Sequence, residues 1–350
     1  MAIQKTQPGA HFKLLGEALR SRIAPRIKHA ILHVTNSCNM RCQHCFVNFQ
    51  KKPNDLTLDE IRGVSEAVND LIWLDIGGGE PSLRKDLADV IGLFRFEEIS
   101  IPTNGWFADR IVSVAEAVSG RNPGRLVVTV SLDGFKETHD EMRQKGSFER
   151  AIETIRQLGR LADARVKINT VVCERTVDDL PDFMKFVRDE LNVDYQGLLL
   201  LRGNPINPLY RLPSVERLRQ LGREVRPIQD SYNFGRKGLG GVVTRNYQSF
   251  KWNIQLETIE KKTQIIPCLG GQAHVVVYDN GAVAPCEILP AVGNVREQPI
   301  TDILAGVAWA EAVASIKRKE CSCTHDCNLL DSILFNPLTY PGLLGLNVWK

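Results

Sequence analysis

The sequence predicts an α/β protein: a partial (β/α)6 barrel followed by a small C-terminal domain made of a β-hairpin and a helix. Three observations predict it. From about residue 30 to residue 201, six strand-like runs alternate with amphipathic stretches, the pattern of a parallel sheet with helical crossovers. That span falls short of the roughly 250 residues of a closed eight-unit barrel, so the barrel is open. From residue 268 the pattern changes to two short strands around an Asn280-Gly281 pair, the strongest short-range hairpin signal. In open α/β sheets the working face lies at the C-terminal ends of the strands.

The strands, in order, are AILHVT (30–35), LIWLDI (71–76), EISIPT (98–103), RLVVTVSL (125–132), ARVKINTVV (164–172) and YQGLLLLR (195–202). The first helical stretch, TLDEIRGVSEAVND, opens with Thr57 and Glu60 at capping-box spacing and sets Ile61, Val64 and Val68 on one face. Further helices are expected near residues 84–94, 107–119, 148–161 and 178–191. After Arg202, GNPINPLYRLPS reads as a Pro/Asn-rich linker, VERLRQLGREVRPI as one helix and SYNFGRKGLGGVV as a mobile loop. Arg202, Arg211, Arg236 and Lys237 in this region read as solvated charges, with contact to a phosphate or carboxylate as the alternative. TDILAGVAWAEAVASIKRK is a helix leading into the last three cysteines. The chain therefore divides into an N-terminal extension (1–29), the partial barrel (30–203), a linker and helical region (204–264) and a C-terminal domain with its tail (265–350).

Composition narrows the function classes. The chain is 43% hydrophobic and 24% charged, with a formal net charge of +3, which gives no electrostatic footprint for nucleic acid. The N-terminus lacks an apolar core of signal-peptide length, and no stretch approaches 18 uncharged apolar residues. The expected setting is cytoplasmic, with neither a membrane nor a nucleic-acid partner. In a reducing compartment the nine cysteines are thiols, metal ligands or catalytic groups, not structural disulfides. Cys38, Cys42 and Cys45 form one cluster; Cys268, Cys286, Cys321, Cys323 and Cys327 form a second, more than 200 residues away. Two clusters point to two sites. Three thiolates on a loop after the first strand hold three corners of a metal centre and leave one position open, whereas a structural zinc site closes all four.

Cys-x-x-x-Cys-x-x-Cys after the first strand resembles the radical S-adenosylmethionine (SAM) superfamily, and other motifs follow in the expected order. GGGEP (77–81) ends the second strand, TNG (103–105) the third and SLDG (131–134) the fourth; HDEMRQKGSFERAI follows, and INT (168–170) lies in the fifth. The resemblance implies a 4Fe–4S cluster on the three thiolates, with SAM chelated at the open iron and cleaved reductively to a 5′-deoxyadenosyl radical. It further implies that Gly78, Gly79 and Glu80 meet the SAM amine and that Ser131 lies near the SAM carboxylate and ribose. Arg143 would pair with that carboxylate, and Asn104 and Asp133 would complete the SAM site. An external electron donor such as flavodoxin or ferredoxin is implied as well. Each motif taken singly has a plain alternative: a tight turn at Gly77–Gly79 or at Asp133-Gly134, and a solvated charge at Arg143.

The C-terminal cysteines resemble the auxiliary-cluster domains of the same superfamily, called SPASM with two clusters and twitch with one. Five cysteines support one 4Fe–4S cluster with four thiolates. Cys268, Cys286 and Cys327 are the expected ligands, joined by Cys323 or Cys321, with the spare thiol or His325 in a supporting role or as an alternative ligand. Structural zinc stays open as the alternative.

Cys173 stands alone at the end of KINTVVC. Strand alternation puts Asn169, Val171 and Cys173 on one face, and a polar Asn in a buried strand suits the lumen. Two readings stay open for Cys173: a buried small hydrophobe, or a catalytic thiol that returns a hydrogen atom to a substrate radical. The expected function is hydrogen abstraction from a small-molecule substrate, a sugar or aminocyclitol-type carbinol that is epimerised or oxidised. Modification of a precursor peptide is one alternative, although only some 30 residues precede the first strand to hold a leader. A non-catalytic iron–sulfur or zinc scaffold is the other; it leaves GGGEP, SLDG and Arg143 unexplained.

Overall fold

In the computed structural model residues 26–47, 49, 54–232, 234 and 239–345 are described; most of the N-terminal extension, Arg236 and Lys237 lie outside them. Six parallel strands follow the predicted runs: β1 (His29–His33), β2 (Leu71–Gly77), β3 (Phe96–Thr103), β4 (Leu126–Ser131), β5 (Ala164–Val172) and β6 (Tyr195–Leu200). Side chains alternate across this sheet, as strand geometry requires. Ala30, Leu32, Leu74, Ile99, Ile101, Val128, Val130, Val166 and Ile168 enter the core under the helices. Ile31, His33, Asp75, Ser100, Thr129, Lys167, Asn169 and Gly197 face a central cavity on the other side.

The crossover helices are α1 (Leu58–Ala67), α2 (Leu87–Gly92), α3 (Ala108–Arg121), α4 (Lys136–Met142), α5 (Ser147–Leu158) and α6 (Leu180–Glu190). At α1 the capping box is present in full, with Thr57 and Glu60 bonding each other's backbone. Ile61 and Val64 are buried on its inner face.

Two long helices follow, α7 (Val215–Ser231) and α8 (Leu239–Lys261). The GLGGVV stretch expected to be loop is thus partly helical from Leu239 onward, where packing against α7 outweighs two adjacent glycines. The C-terminal hairpin, β7 (His274–Val277) and β8 (Ala282–Ala284), is continued by β9 (Gly293–Asn294). It does not form a separate sheet. β7 pairs in parallel with β1, giving one open sheet of order β6-β5-β4-β3-β2-β1-β7-β8-β9. The predicted C-terminal helix is two, α9 (Ile300–Ala305) and α10 (Val307–Lys317), broken at an extended Gly306. Two short helices finish the fold: α11 (Asp326–Leu334) and α12 (Tyr340–Leu343). Among the described residues no helix is long and apolar enough to cross a membrane.

Candidate active site

Three adjoining regions make up the site. The first is the loop after β1. Cys38, Cys42 and Cys45 line one cavity of about 190 Å³, together with Gly78, Gly79, Asn104, Ser131 and Arg143 from the ends of β2, β3 and β4 and the end of α4. The loop folds back through Cys45 N–H to Cys42 O at 3.0 Å. Its sulfurs are met by N–H donors: Met40 N to Cys38 Sγ at 3.4 Å and Val47 N to Cys45 Sγ at 3.4 Å. Arg143 Nη1 approaches Cys42 Sγ at 3.8 Å. Burial outweighs these donors, pushing the Cys38 thiol up and the Cys42 thiol to about 11; three thiols on one short loop fit three corners of a cubic cluster.

The glycines of GGGEP hold this loop by backbone approach. Gly78 adopts φ +123°, and a Cβ there would lie 2.2 Å from Thr35 O; at Gly79 it would lie 2.1 Å from Ser37 O. No L side chain fits either position. The Glu80 carboxylate is buried, accepting at Oε1 from Ser82 Oγ (2.6 Å), Ser82 N (3.2 Å) and Thr103 Oγ1 (2.9 Å) and at Oε2 from Asn104 N (2.7 Å). It ties the end of β2 to the end of β3 and lines the three-cysteine cavity, with acceptor capacity left at Oε2.

Asp133 is fully buried and accepts Arg143 Nε at 2.6 Å and Val171 N at 2.9 Å. Burial raises its pKa, but Arg143 and then the two nearby histidines outweigh that and hold it down at about 2. Asp133 therefore aims Arg143 into the cavity and is itself a positioning residue. Asn104 donates to Asn39 Oδ1 at 2.9 Å and so ties the β3 end to the cysteine loop.

The second region lies beyond β7. Cys268, Cys286, Cys321 and Cys323 line one small gap. Gly270 N donates to Cys268 Sγ at 3.4 Å and Asn328 Nδ2 to Cys323 Sγ at 3.2 Å. Burial first, then the neighbouring cysteines, push Cys268 up to about 12 and Cys286 to about 11. Thiols crowded in this way surrender protons to a bound metal, and four of them fit one four-thiolate cluster. Cys327, expected as a ligand, is not among them. It lies in the first turn of α11, lines the central cavity, and donates its S–H to Glu287 Oε2 at 3.3 Å. Both Cys321 and Cys323 lie beside Cys268 and Cys286 in this gap.

The third region is the central cavity, about 480 Å³ in volume. It shares Phe46, Val47, Gly78, Gly79 and Pro102 with the three-cysteine cavity, so the two are contiguous. Its wall is mostly apolar, with Ile31, Ile72, Trp73, Ile76 and Leu199 among its residues, and charged groups are set into it. Lys251 pairs with Asp326 at 2.6 Å. Glu287 is approached by Arg202 (3.2 Å), His325 (3.4 Å) and His33 (3.5 Å). Arg202, read as solvated from the sequence, is thus part of this wall. Lys167 lies over the Tyr195 ring at 5.4 Å, and the buried Asn169 Oδ1 has no hydrogen-bond partner.

Cys173 is not brought to this cavity. β5 ends at Val172, and the chain turns there, with Thr176 N and Val177 N both donating to Cys173 O. Alternation stops with the strand, and the thiol packs beside Met142 and Leu201, 3.7 Å from Thr176 Oγ1, with no exposure. Sequence reasoning missed Glu287 and Lys251 as site residues, because their partners come from elements with no motif of their own; for Arg202 the carboxylate contact given as the alternative is the one present.

Residues 32–187 match the family model of the radical SAM superfamily, and residues 268–328 match the SPASM iron–sulfur cluster-binding domain. A probable GTP 3′,8-cyclase of Methanocaldococcus jannaschii is 24% identical over 306 residues, 84% of this chain and 93% of the relative. An AdoMet-dependent heme synthase of Methanosarcina barkeri is 28% identical over 80% of this chain and 82% of its own length. A mycofactocin maturase of Mycolicibacterium smegmatis is 29% identical but over 43% of this chain and 39% of its own. Among solved structures, Streptococcus suis SuiB bound to its precursor peptide aligns with TM-score 0.62 at 13% identity, over 87% of this chain and 70% of that one. The structure described as anSMEcpe with AdoMet and a peptide aligns with TM-score 0.60 at 16% identity, over 91% and 98%.

Proposed function

From the premise that this chain is a radical SAM enzyme carrying a SPASM iron–sulfur domain, we propose that it abstracts a hydrogen atom from a small polar carbinol, of the sugar or aminocyclitol type, held in the central cavity. The observation that carries the reading is the shared wall between the three-cysteine cavity and the central cavity. That adjacency would place a radical formed in the first close to a C–H bond in the second. Cys38, Cys42 and Cys45 would hold a 4Fe–4S cluster, and Cys268, Cys286, Cys321 and Cys323 the auxiliary one. When bound, the first cluster supplies the electron that cleaves SAM to methionine and the 5′-deoxyadenosyl radical.

The chain's own residues do the rest. Arg143, aimed by Asp133, offers the SAM carboxylate a charge-assisted partner. Asn104 and Ser131 complete the polar side of that cavity. The cations and carboxylates set into the mostly apolar wall of the central cavity suit a substrate with several hydroxyl or amine groups. A cavity of about 480 Å³ matches the lower part of the range for small-molecule sites. Two relatives that span most of the chain are named for a nucleotide cyclase and a heme synthase, which supports a small-molecule substrate. Peptide modification is the second reading, favoured by the maturase match and by the peptide-bound neighbours in fold.

The test is anaerobic reconstitution, reduction by dithionite, and measurement of 5′-deoxyadenosine with panels of sugars, aminocyclitols and short peptides. Turnover above the substrate-free level with a carbinol supports the reading. Stimulation by peptides alone replaces it, and absence of SAM cleavage with every candidate ends it.

A further inference from the structure

We propose that Asn328 is a positioning residue of the auxiliary cluster and sets its reduction potential through one N–H···S bond. The inference rests on the SPASM assignment and not on the choice of substrate. Asn328 stands near the start of α11, 4% exposed, and lines the four-cysteine gap. Its Nδ2 lies 3.2 Å from Cys323 Sγ. A metal-bound thiolate accepts and cannot donate, so the amide meets it through N–H. Ser332, one turn further along, fixes this face. Its Oγ donates to Asn328 O at 2.6 Å and accepts from Leu269 N, next to Cys268, at 3.1 Å. Cys327, Leu330 and Leu334 of the same helix line the central cavity. Thus α11 is a wall shared by the two sites.

The rest of the gap supplies little to offset negative charge. Among its described lining residues none is charged, and Ile254, Ile266, Ile288, Ile316 and Leu329 make it largely apolar. Reduction adds an electron to a four-thiolate cluster that is already anionic. In a low-dielectric site without cations that step is opposed unless donors point at the sulfurs. Gln264 is the other side-chain amide there, but its Nε2 bonds Ile316 O at 2.9 Å and Cys321 O at 3.0 Å, with Cys321 Sγ 3.8 Å away. Gln264 clasps backbone. Gly270 N meets Cys268 Sγ at 3.4 Å, a main-chain bond that every side-chain variant retains. Asn328 is therefore the side chain whose bond to sulfur favours the reduced state, where the acceptor carries more charge.

The test uses the full chain in a Cys38→Ala, Cys42→Ala, Cys45→Ala background, where iron and its electron paramagnetic resonance signal report the auxiliary site alone. After anaerobic reconstitution, redox titration gives the midpoint potential of that signal. Asn328→Leu keeps the volume and removes the donor. It is expected to retain about four irons per chain and to shift the midpoint to more negative potential. Asn328→Met, which also fills the space without a donor, should shift it the same way, and its midpoint decides if Asn328→Leu loses iron. Thr258→Val is the control. Thr258 lines the same gap but spends its hydroxyl on Ile254 O at 2.7 Å, so its midpoint should match the parent. An unchanged midpoint in an iron-loaded Asn328 variant, or an equal shift in Thr258→Val, overturns the proposal. Loss of iron in both Asn328 variants overturns it as well, by making the amide part of what holds the cluster. Zinc in place of iron at this site overturns it too, and leaves the reading of the three-cysteine site untouched.

Discussion

Arg143 and Asp133 show how a motif residue works through its neighbour. Both are buried, and they meet at 2.6 Å. Removing one partner of a buried pair leaves an uncompensated charge and costs about 3–5 kcal/mol, whereas an apolar pair of similar volume is often tolerated. Arg143→Met is therefore expected to lower the denaturation free energy by about that amount, and Asp133→Leu combined with Arg143→Met to restore most of it. Equal destabilisation by the single and double variants in urea titrations contradicts the pairing. Cys173 makes the opposite case. Its thiol packs beside Met142 and Leu201 and lies 3.7 Å from Thr176 Oγ1, so Cys173→Ala should cost about 1 kcal/mol and leave SAM cleavage unchanged. A loss of cleavage in that variant would return Cys173 to the reaction. Arg143 and Ser131 were legible in the sequence because their motifs sit where strands end. Cys173 and Cys327 were not. Alternation holds only inside a strand, and cysteine spacing does not say on which side of a turn a sulfur falls.

At the level of elements, the six βα units were readable because each carries its own periodicity, caps and turn residues. The attachment of the hairpin was not, since β7 pairs with β1 across more than 240 residues of chain and a parallel ladder leaves no local signature. GGGEP illustrates a further gap. Its glycines were read as ligand-approach positions, yet the structure uses two of them to seat the end of β2 against the cysteine loop, Gly78 on Thr35 O and Gly79 on Ser37 O. Gly79→Ala is thus expected to displace the loop and reduce reconstituted iron toward the about four atoms of the auxiliary cluster, with little change in far-UV circular dichroism. Gly63, inside α1 with open space for 4 Å around the place a Cβ would take, is the control. There the same substitution should stabilise by roughly 0.5–1 kcal/mol. Full iron loading in Gly79→Ala would mean that the close approach is not needed to seat the loop.

The molecule as a whole is locked by a buried network at the junction of its two parts. His29 on β1 reaches Asp75 on β2 at 3.1 Å and Asp331 on α11 at 3.0 Å, and His274 on β7 reaches the same carboxylate at 2.7 Å. One carboxylate of the C-terminal helix thereby fastens the first barrel strand to the strand that the C-terminal domain adds to the sheet. Burial alone would lower the His29 pKa, but Asp331 and Asp75 outweigh it and raise it from 6.5 to about 10. Asp331, despite burial, is held down from 3.8 to about 2 by the two histidines. The signs follow from linkage. The His29 contribution is complete below pH 6.5 and is lost as pH rises through 10; the Asp331 contribution is complete above pH 3.8 and is lost toward pH 2. Both are in place between those limits, so the grip of the C-terminal domain should begin to weaken on the alkaline side before the lysines titrate. Cysteine ionisation also changes stability in that range, but it acts equally on wild type and His29→Gln. The decisive quantity is therefore the difference between their thermal midpoints, which should shrink steadily from pH 6.5 to 10. A constant difference across that interval would mean that His29 carries no charge in the folded protein and that the network holds by hydrogen bonds alone.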